Sequence, residues 1–118
     1  MRYEVEPITY VVRVYDDDRP DDYVASAMIR KYGDRGWVSS ITSPRLFDAI
    51  AEHFNDFVDR LGVVAVEGYM SEPMARALRI QASKHPWCEF YVARRGICAG
   101  RTMPWVVMSK LENMNVDD

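Results

Sequence analysis

Side chains that commonly carry acid–base, nucleophilic or metal chemistry are few in this sequence. The two histidines, His53 and His85, lie far apart, and neither has a further metal-ligating side chain at a useful spacing. Two thiols at the spacing of Cys88 and Cys98 form neither a zinc pattern nor a disulfide framework. No nucleophile-elbow motif and no glycine-rich phosphate-binding motif is present. We therefore expect no catalytic histidine and no metal site, and two small buried cysteines in a reducing compartment.

Tryptophans and arginines are the residues that could instead bind a partner. Aromatic side chains dominate protein interfaces, and the three candidates are Trp37, Trp87 and Trp105. The arginines that could hold an anion or a phosphate backbone are Arg76, Arg79, Arg94, Arg95 and Arg101. Residues 62–110 hold 7 basic and 3 acidic side chains, so they could present an anion-attracting face or ordinary solvated surface. The pI of about 5.4 argues against a nucleic-acid partner.

Length and composition predict one domain over residues 1–118. The chain is 48% hydrophobic and 12% aromatic, which is enough apolar surface for one packed core. No stretch approaches the roughly 20 apolar residues that span a bilayer, and the acidic first residues lack the pattern of a signal peptide. We therefore expect a cytoplasmic protein with no membrane partner.

The first third of the chain predicts strands around one ambiguous segment. Residues 8–15 are rich in β-branched and aromatic side chains and predict a strand, and residues 37–41 predict another. Between them, residues 16–22 are almost entirely acidic and predict an exposed loop. Residues 22–31 fit either a helix or one arm of a hairpin that turns at residues 33–36. We favour the helix, because Val24, Ala27 and Met28 would share one of its faces.

Residues 44–61 form the clearest predicted helix. Ser43 is a favourable N-cap, proline suits the first helical position, and Gly62 stands where a left-handed C-terminal cap is expected. The apolar residues at spacings of three and four are Leu46, Phe47, Ile50, Phe54, Phe57, Val58 and Leu61. The acidic residues Asp48, Glu52, Asp56 and Asp59 follow the opposite, solvent face.

The second half predicts one more helix among strands. Ser71 can cap a helix that ends before the His85–Pro86 pair. The predicted elements are a strand at 63–70, a helix at 71–84, a strand at 88–93, a polar turn region at 94–103, a strand at 105–109 and a frayed end at 113–118. The whole chain therefore predicts an α/β (α+β) fold with a mixed sheet and two main helices, in the order β-(α?)-β-α-β-α-β-β.

From Trp37 onward this order resembles the C-terminal half of the GCN5-related N-acetyltransferase (GNAT) fold. The resemblance implies that coenzyme A pyrophosphate would lie at the N-terminus of the helix at 44–61, near Ser43 and Arg45. It also implies that Glu67 and Tyr69, just before the second helix, are the first catalytic candidates. The family's pyrophosphate loop contains glycine, whereas residues 40–45 contain none and include a proline.

Three functions are open on this basis. The first is a non-catalytic, acetyltransferase-like protein that binds another protein or a second copy of itself, using Trp37, Trp87 or Trp105; small proteins of this kind occur among phage accessory proteins that act on host factors. This hypothesis requires no cofactor. The second is a minimal acyl-CoA-dependent N-acetyltransferase using acetyl-CoA. The third is an anion or nucleic-acid binder using arginines such as Arg94, Arg95 and Arg101. We favour the first, because no reaction centre is recognisable in the sequence.

Overall fold

The structure, a computed structural model, describes residue 2 and residues 8–43 and 45–111. Six strands and three helices lie in these ranges. In chain order they are β1 (Ile8–Asp16), β2 (Arg19–Tyr32), β3 (Arg35–Ser39), α1 (Arg45–Glu52), α2 (Phe54–Leu61), β4 (Ala65–Tyr69), α3 (Glu72–Ser83), β5 (Cys88–Cys98) and β6 (Arg101–Lys110).

The six strands form one mixed sheet with the order β1-β2-β3-β4-β6-β5. The only parallel neighbours within it are β3 and β4, and every other neighbouring pair is antiparallel. Helices α1 and α2 connect β3 to β4, as a parallel pair requires, because its strands need a long crossover. The parallel strands β3 and β4 therefore lie at the centre of the sheet, and each of them is followed by a helix.

All three helices pack on the same face of the sheet. The main core joins the apolar stripe of α1 and α2 to alternate residues of the strands, including Ala27, Ile29, Val66, Val106 and Met108. A second, smaller cluster of Ala65, Trp105 and Val107 lies on the opposite face and contains no helix residue. The described residues thus form two layers, a sheet and one layer of helices, and none of the described helices lies on the other face of the sheet.

The predicted helix at residues 22–31 is wrong, because this segment is the long strand β2. Its side chains alternate, with Ala25, Ala27 and Ile29 buried against the helices and Met28 and Arg30 exposed on the other face. A period of two is the pattern of a strand. The alternative, a hairpin arm turning into β3, is the arrangement that the structure contains.

The two predicted polar connections are also shorter than expected. In the acidic segment 16–22, only residues 17 and 18 form a turn, and β2 begins at Arg19. In the segment 94–103, β5 and β6 continue to a turn at residues 99 and 100, where Ala99 and Gly100 have φ of 53° and 78°. A bulge between Val92 and Arg94 interrupts their pairing.

The long predicted helix at 44–61 is present as two helices joined at His53. His53 has φ −116° and ψ 33°, although its amide still donates to the carbonyl of Ala49 and its carbonyl accepts from Phe57. The predicted stripe is confirmed, because all its members except the half-buried Phe57 are buried. Gly62 ends α2 with φ 71°, which confirms the predicted left-handed cap.

Helix α3 matches its prediction closely. The Ser71 hydroxyl accepts a hydrogen bond from the amide of Met74 at 3.3 Å, and Ala75, Leu78 and Ala82 are buried. The predicted frayed end at 113–118 lies outside the described residues. None of the helices in the described ranges has the length and apolar character needed to cross a membrane.

Candidate active site between strands β3 and β4

The pairing of β3 with β4 stops in the middle of the sheet. Their ladder covers only three residue pairs and ends at Trp37 and Glu67, although β3 continues to Ser39 and β4 to Tyr69. Beyond this point, Ser40 adopts a φ of 54° and the chain leaves the sheet toward α1. β4 stays in the sheet and continues to pair with β6. The two central strands therefore part just after Glu67.

Gly68 is required where the two strands are last in contact. A Cβ atom on Gly68 would lie 2.5 Å from the carbonyl oxygen of Val38, closer than real Cβ contacts come. Only glycine lets the two backbones approach in this way. Gly68 thus determines where β3 and β4 diverge.

Glu67 lies at this junction with both carboxylate oxygens hydrogen-bonded. Oε2 accepts from Nε of Arg35 at 2.5 Å, and Oε1 accepts from the indole N–H of Trp105 at 2.9 Å. The Glu67 side chain is 11% exposed, so it is reachable from one side. An ionised carboxylate has about four acceptor positions, which leaves room for a further donor such as an amine or a water.

Arg35 keeps this ion pair in place. Burial acts to lower the pKa of its guanidinium, but the hydrogen bonds and charges of Glu67 and Tyr91 outweigh burial and raise that pKa above its ordinary value. The guanidinium is therefore permanently charged. No local sequence pattern points to Arg35, because it stands 32 positions before Glu67 and only the parallel pairing of their strands brings them together.

Aromatic rings surround the carboxylate on the helix-free side of the sheet. Trp105 is 6% exposed and makes edge-to-face contacts with Tyr69 and Trp37, with ring centroids 4.9 and 5.3 Å apart. Tyr32 packs in turn on Trp37. The guanidinium of Arg94 lies 4.3 Å from the centre of the Trp105 ring, a cation–π arrangement. This cluster fixes the indole that donates to Glu67.

Tyr69 borders the same site one pleat further along β4. Its hydroxyl lies against Gly96 of β5, since a Cβ atom there would meet the hydroxyl oxygen at 2.3 Å. Gly96 thus makes space for the tyrosine. Tyr69 and Glu67, the two catalytic candidates, are brought to the same face of the same strand.

A small apolar cavity lies on the other side of the junction, between the sheet and helices α1 and α3. Its volume is about 20 Å³, which is room for about one water molecule. Phe47 and Ile50 of α1, Leu78 of α3 and Val38 of β3 contribute to its wall, and Glu67 is the one ionisable residue there. The apolar cavity therefore lies on the helix side of the sheet, whereas the hydrogen-bonded carboxylate of Glu67 lies on the helix-free side.

The start of α1 lies against β2 and β1, because the amide of Thr42 donates to the carbonyl of Ser26 on β2 at 3.0 Å. The Ser43 hydroxyl accepts from the amide of Arg45 at 3.2 Å and caps the helix. The Arg45 guanidinium donates to a carboxylate oxygen of Asp16 at 3.2 Å, on the β1 side of the helix. Ser43 is thus positioned at the helix N-terminus, whereas a phosphate would have to compete with Asp16 for Arg45.

The other residues selected from the sequence are dispersed. Trp87 lies away from Trp37 and Trp105, and its indole N–H donates to the carbonyl of Ala51 at 2.9 Å. Arg95 forms an ion pair with Glu72 of α3, and Arg101 is exposed at the start of β6. The three tryptophans therefore do not form one patch.

The histidines and cysteines also stay apart from the junction. The ring of His85 packs on that of Trp87, and His53 is exposed. Cys88 is buried as expected, but Cys98 is only half-buried, and both are free thiols. Within the described ranges, no three potential metal ligands come together.

Comparison with solved structures identifies the fold. The ribosomal-protein-S18-alanine N-acetyltransferase from Escherichia coli matches with a TM-score of 0.52 and 14% identity, over 98% of this chain and 77% of that one. A candidate acetyltransferase from Agrobacterium tumefaciens matches with a TM-score of 0.55 and 12% identity, over 90% of this chain and 78% of that one. No protein-family model and no curated protein matches the sequence. The chain has a GNAT-like acetyltransferase fold, which confirms the predicted resemblance and fold class.

Proposed function

We propose that this protein is an acyl-CoA-dependent N-acetyltransferase in which Glu67 is the catalytic carboxylate. The observation that carries the proposal is the position of Glu67 at the last residue pair before β3 and β4 part, in a fold shared with acetyltransferases. This replaces the non-catalytic protein-binding hypothesis as our preferred function. That hypothesis, with its phage-accessory form, stays a prediction that no observation favours.

The residues present fit an acyl-CoA substrate in two respects. Beyond Trp37, β3 has no ladder partner in β4, and because Gly68 still lies against the Val38 carbonyl, an extended amide-containing chain could pair with Ser39. The start of α1 follows directly in the chain, and its dipole favours phosphate, although the amides of Arg45 and Leu46 already donate to Ser43. The missing glycine in residues 40–45 limits how closely a phosphate could approach this loop, so we assign the main contribution to the strand backbone and to Ser43.

Acetyl-CoA would supply an acetyl thioester. In the transfer reaction, the C–N bond to the amine forms and the C–S bond breaks. The amine proton passes to a base and, through solvent, to the departing thiolate. We assign the base to Glu67. Its carboxylate is fixed by Arg35 and Trp105 and has unused acceptor positions on its exposed side. Because its two oxygens already accept from Arg35 and Trp105, we expect proton transfer through a water held at a remaining acceptor position of the carboxylate.

Tyr69 and the aromatic rings would have a positioning role. Tyr69 and Trp37 both contact Trp105, which donates to Glu67, so they hold the donor rather than the reacting atoms. Displacing Trp105 would release one oxygen of the carboxylate. We therefore expect Tyr69→Phe to retain most of the rate, because the ring contact remains when the hydroxyl is removed.

The experiment is acetyl transfer to a pool of short peptides with free amines, followed by mass spectrometry. Glu67→Gln keeps the size of the side chain and should lower the rate about 10²- to 10⁴-fold, the usual contribution of a general base. The matched control is Glu52→Gln, the same change at an exposed residue of α1 on the helix layer, which should alter the rate less than about twofold. Absence of product with every amine, or an unchanged rate for Glu67→Gln, contradicts the proposal.

A further inference from the structure

The helix-free face of the sheet, here called the open face, has a regular order around Glu67. One row of directly paired residues crosses all six strands on this face. Its members are Thr9, Arg30, Trp37, Glu67, Val107 and Tyr91. A second row, one pleat away, includes Met28 and Ser39 on one side of the junction and Tyr69, Trp105 and Arg94 on the other. Arg30 therefore lies two strands from Glu67 on one side, and Arg94 lies two strands away on the other side, one pleat along.

Arginine dominates the charges of this face. Outside residues 16–22, where acidic residues are concentrated and the pairing of β1 with β2 is irregular, alternation places five arginines and two carboxylates on the open-face side of the described strands. The arginines are Arg13, Arg30, Arg35, Arg94 and Arg101, and the carboxylates are Glu67 and Glu89. Arg35 is neutralised by Glu67. Arg13, Arg30 and Arg94 are exposed, and no carboxylate of the described residues forms an ion pair with them.

Exposed rings lie between these charges. Trp37 is 43% exposed, Tyr91 41% and Tyr32 38%, all on the open face. Aromatic side chains with two or three rotatable bonds make favourable contact surfaces because they lose little conformational entropy on binding. The face therefore offers both apolar contacts and unpaired positive charge.

We infer that the open face binds the acceptor as an acidic polypeptide segment, whose amine reaches Glu67 while its carboxylates contact Arg30 and Arg94. This inference rests on the proposed acetyltransferase function. The acceptor should approach from the open face, because both carboxylate oxygens of Glu67 bond to side chains of that face and the cavity on the helix side has room for only about one water molecule. A second copy of the chain would bring its arginines against these arginines, which disfavours self-association through the face.

The spacing of the charges defines the acceptor further. Neighbouring strands lie about 4.8 Å apart, so Arg30, two strands from Glu67, is roughly 10 Å away, and Arg94 is slightly farther. An extended peptide rises about 3.4 Å per residue. The best acceptor therefore carries aspartate or glutamate about three residues from the reacting amine.

The test is fluorescence anisotropy with labelled peptides and no acetyl-CoA. One peptide carries an amine with acidic residues three positions away, a second has the matching amides, and a single-stranded oligonucleotide serves as the other polyanion. The acidic peptide should bind about tenfold more tightly than the neutral one, and binding should weaken as salt is added. Equal binding of the two peptides, or tighter binding of the oligonucleotide, overturns the inference.

Charge-reversing variants locate the contact. Arg30→Glu and Arg94→Glu should each weaken binding of the acidic peptide about three- to tenfold, because each replaces an attractive pair by a repulsive one. Lys84→Glu, the same kind of change at the exposed end of α3 on the helix layer, should alter binding less than about twofold. Thermal melts by circular dichroism verify that the variants fold. Equal effects of all three substitutions would show only a net-charge effect and overturn the assignment to this face.

The inference and the proposed function fail separately. A protein that acetylates acidic and neutral peptides at equal rates keeps the proposed function and loses the inference. A protein that binds the acidic peptide through Arg30 and Arg94 but transfers no acetyl group to any amine loses the proposed function.

Discussion

Removing the Glu67 side chain measures how the junction of β3 and β4 is held together. Glu67→Gln retains a carbonyl oxygen that can accept from Trp105 but loses the charge that pairs with Arg35. The Arg35 side chain is 37% exposed, so solvent screens this pair and its loss should lower the free energy of unfolding by about 1 kcal/mol. Glu67→Ala also leaves the indole N–H of nearly buried Trp105 without its acceptor, which costs about 1–3 kcal/mol more.

The assay is urea unfolding followed by circular dichroism, with Trp105→Phe completing a double-mutant cycle. Phenylalanine has no N–H, so Glu67→Ala should cost about 1 kcal/mol less in that background than in the wild type. The m-values should stay unchanged, because the substitutions do not alter the surface exposed on unfolding. Equal losses for Glu67→Gln and Glu67→Ala, or additive effects in the cycle, would refute the argument that the indole and the carboxylate depend on each other.

Two further substitutions or modifications test the structure. Gly68→Ala places a Cβ atom 2.5 Å from a backbone carbonyl of β3, so it should lower the free energy of unfolding by about 1–3 kcal/mol in the same urea assay; an unchanged midpoint contradicts the close approach. Burial raises the pKa of the Cys88 thiol, so less of it is thiolate near neutral pH and the half-buried Cys98 should be alkylated first by iodoacetamide, as followed by peptide mass spectrometry. Alkylation of Cys88 at the same rate would contradict its burial.

The helices could be predicted because their signals are local. The stripe of α1 and α2, the cap at Ser71 and the left-handed Gly62 all lie within a few residues of the structure that they specify. The sequence does not predict the break between α1 and α2 at His53, because the apolar spacing of three and four residues continues through it and the backbone hydrogen bonds on either side remain.

The strands were harder to predict where two patterns compete. Val24, Ala27 and Met28 fit helical spacing, while Ala25, Ala27 and Ile29 fit a strand, and small alanines satisfy both patterns equally. The pairing of β2 with both β1 and β3 decides between them, and this is tertiary information. The length of the β5–β6 hairpin was likewise not predicted, because the polar residues of 94–103 indicated a turn. Arginines can occupy exposed positions of a strand without ending it.

The candidate site could be found only in part. Glu67 and Tyr69 were selected through the family resemblance, but their roles stay predictions. Arg35 and Trp105 contact Glu67 from 32 and 38 positions away, and no local pattern relates them. The parallel pairing of β3 with β4 and the antiparallel pairing of β4 with β6 place these three residues together, so the site is a product of the sheet order.

The most direct test of the proposed acetyltransferase function is a calorimetric titration of the wild-type protein with acetyl-CoA. We expect saturable binding of one ligand per chain, with a dissociation constant below about 1 mM, since the parted strands and the start of α1 provide backbone groups for it. Absence of any binding heat at millimolar acetyl-CoA would contradict the account.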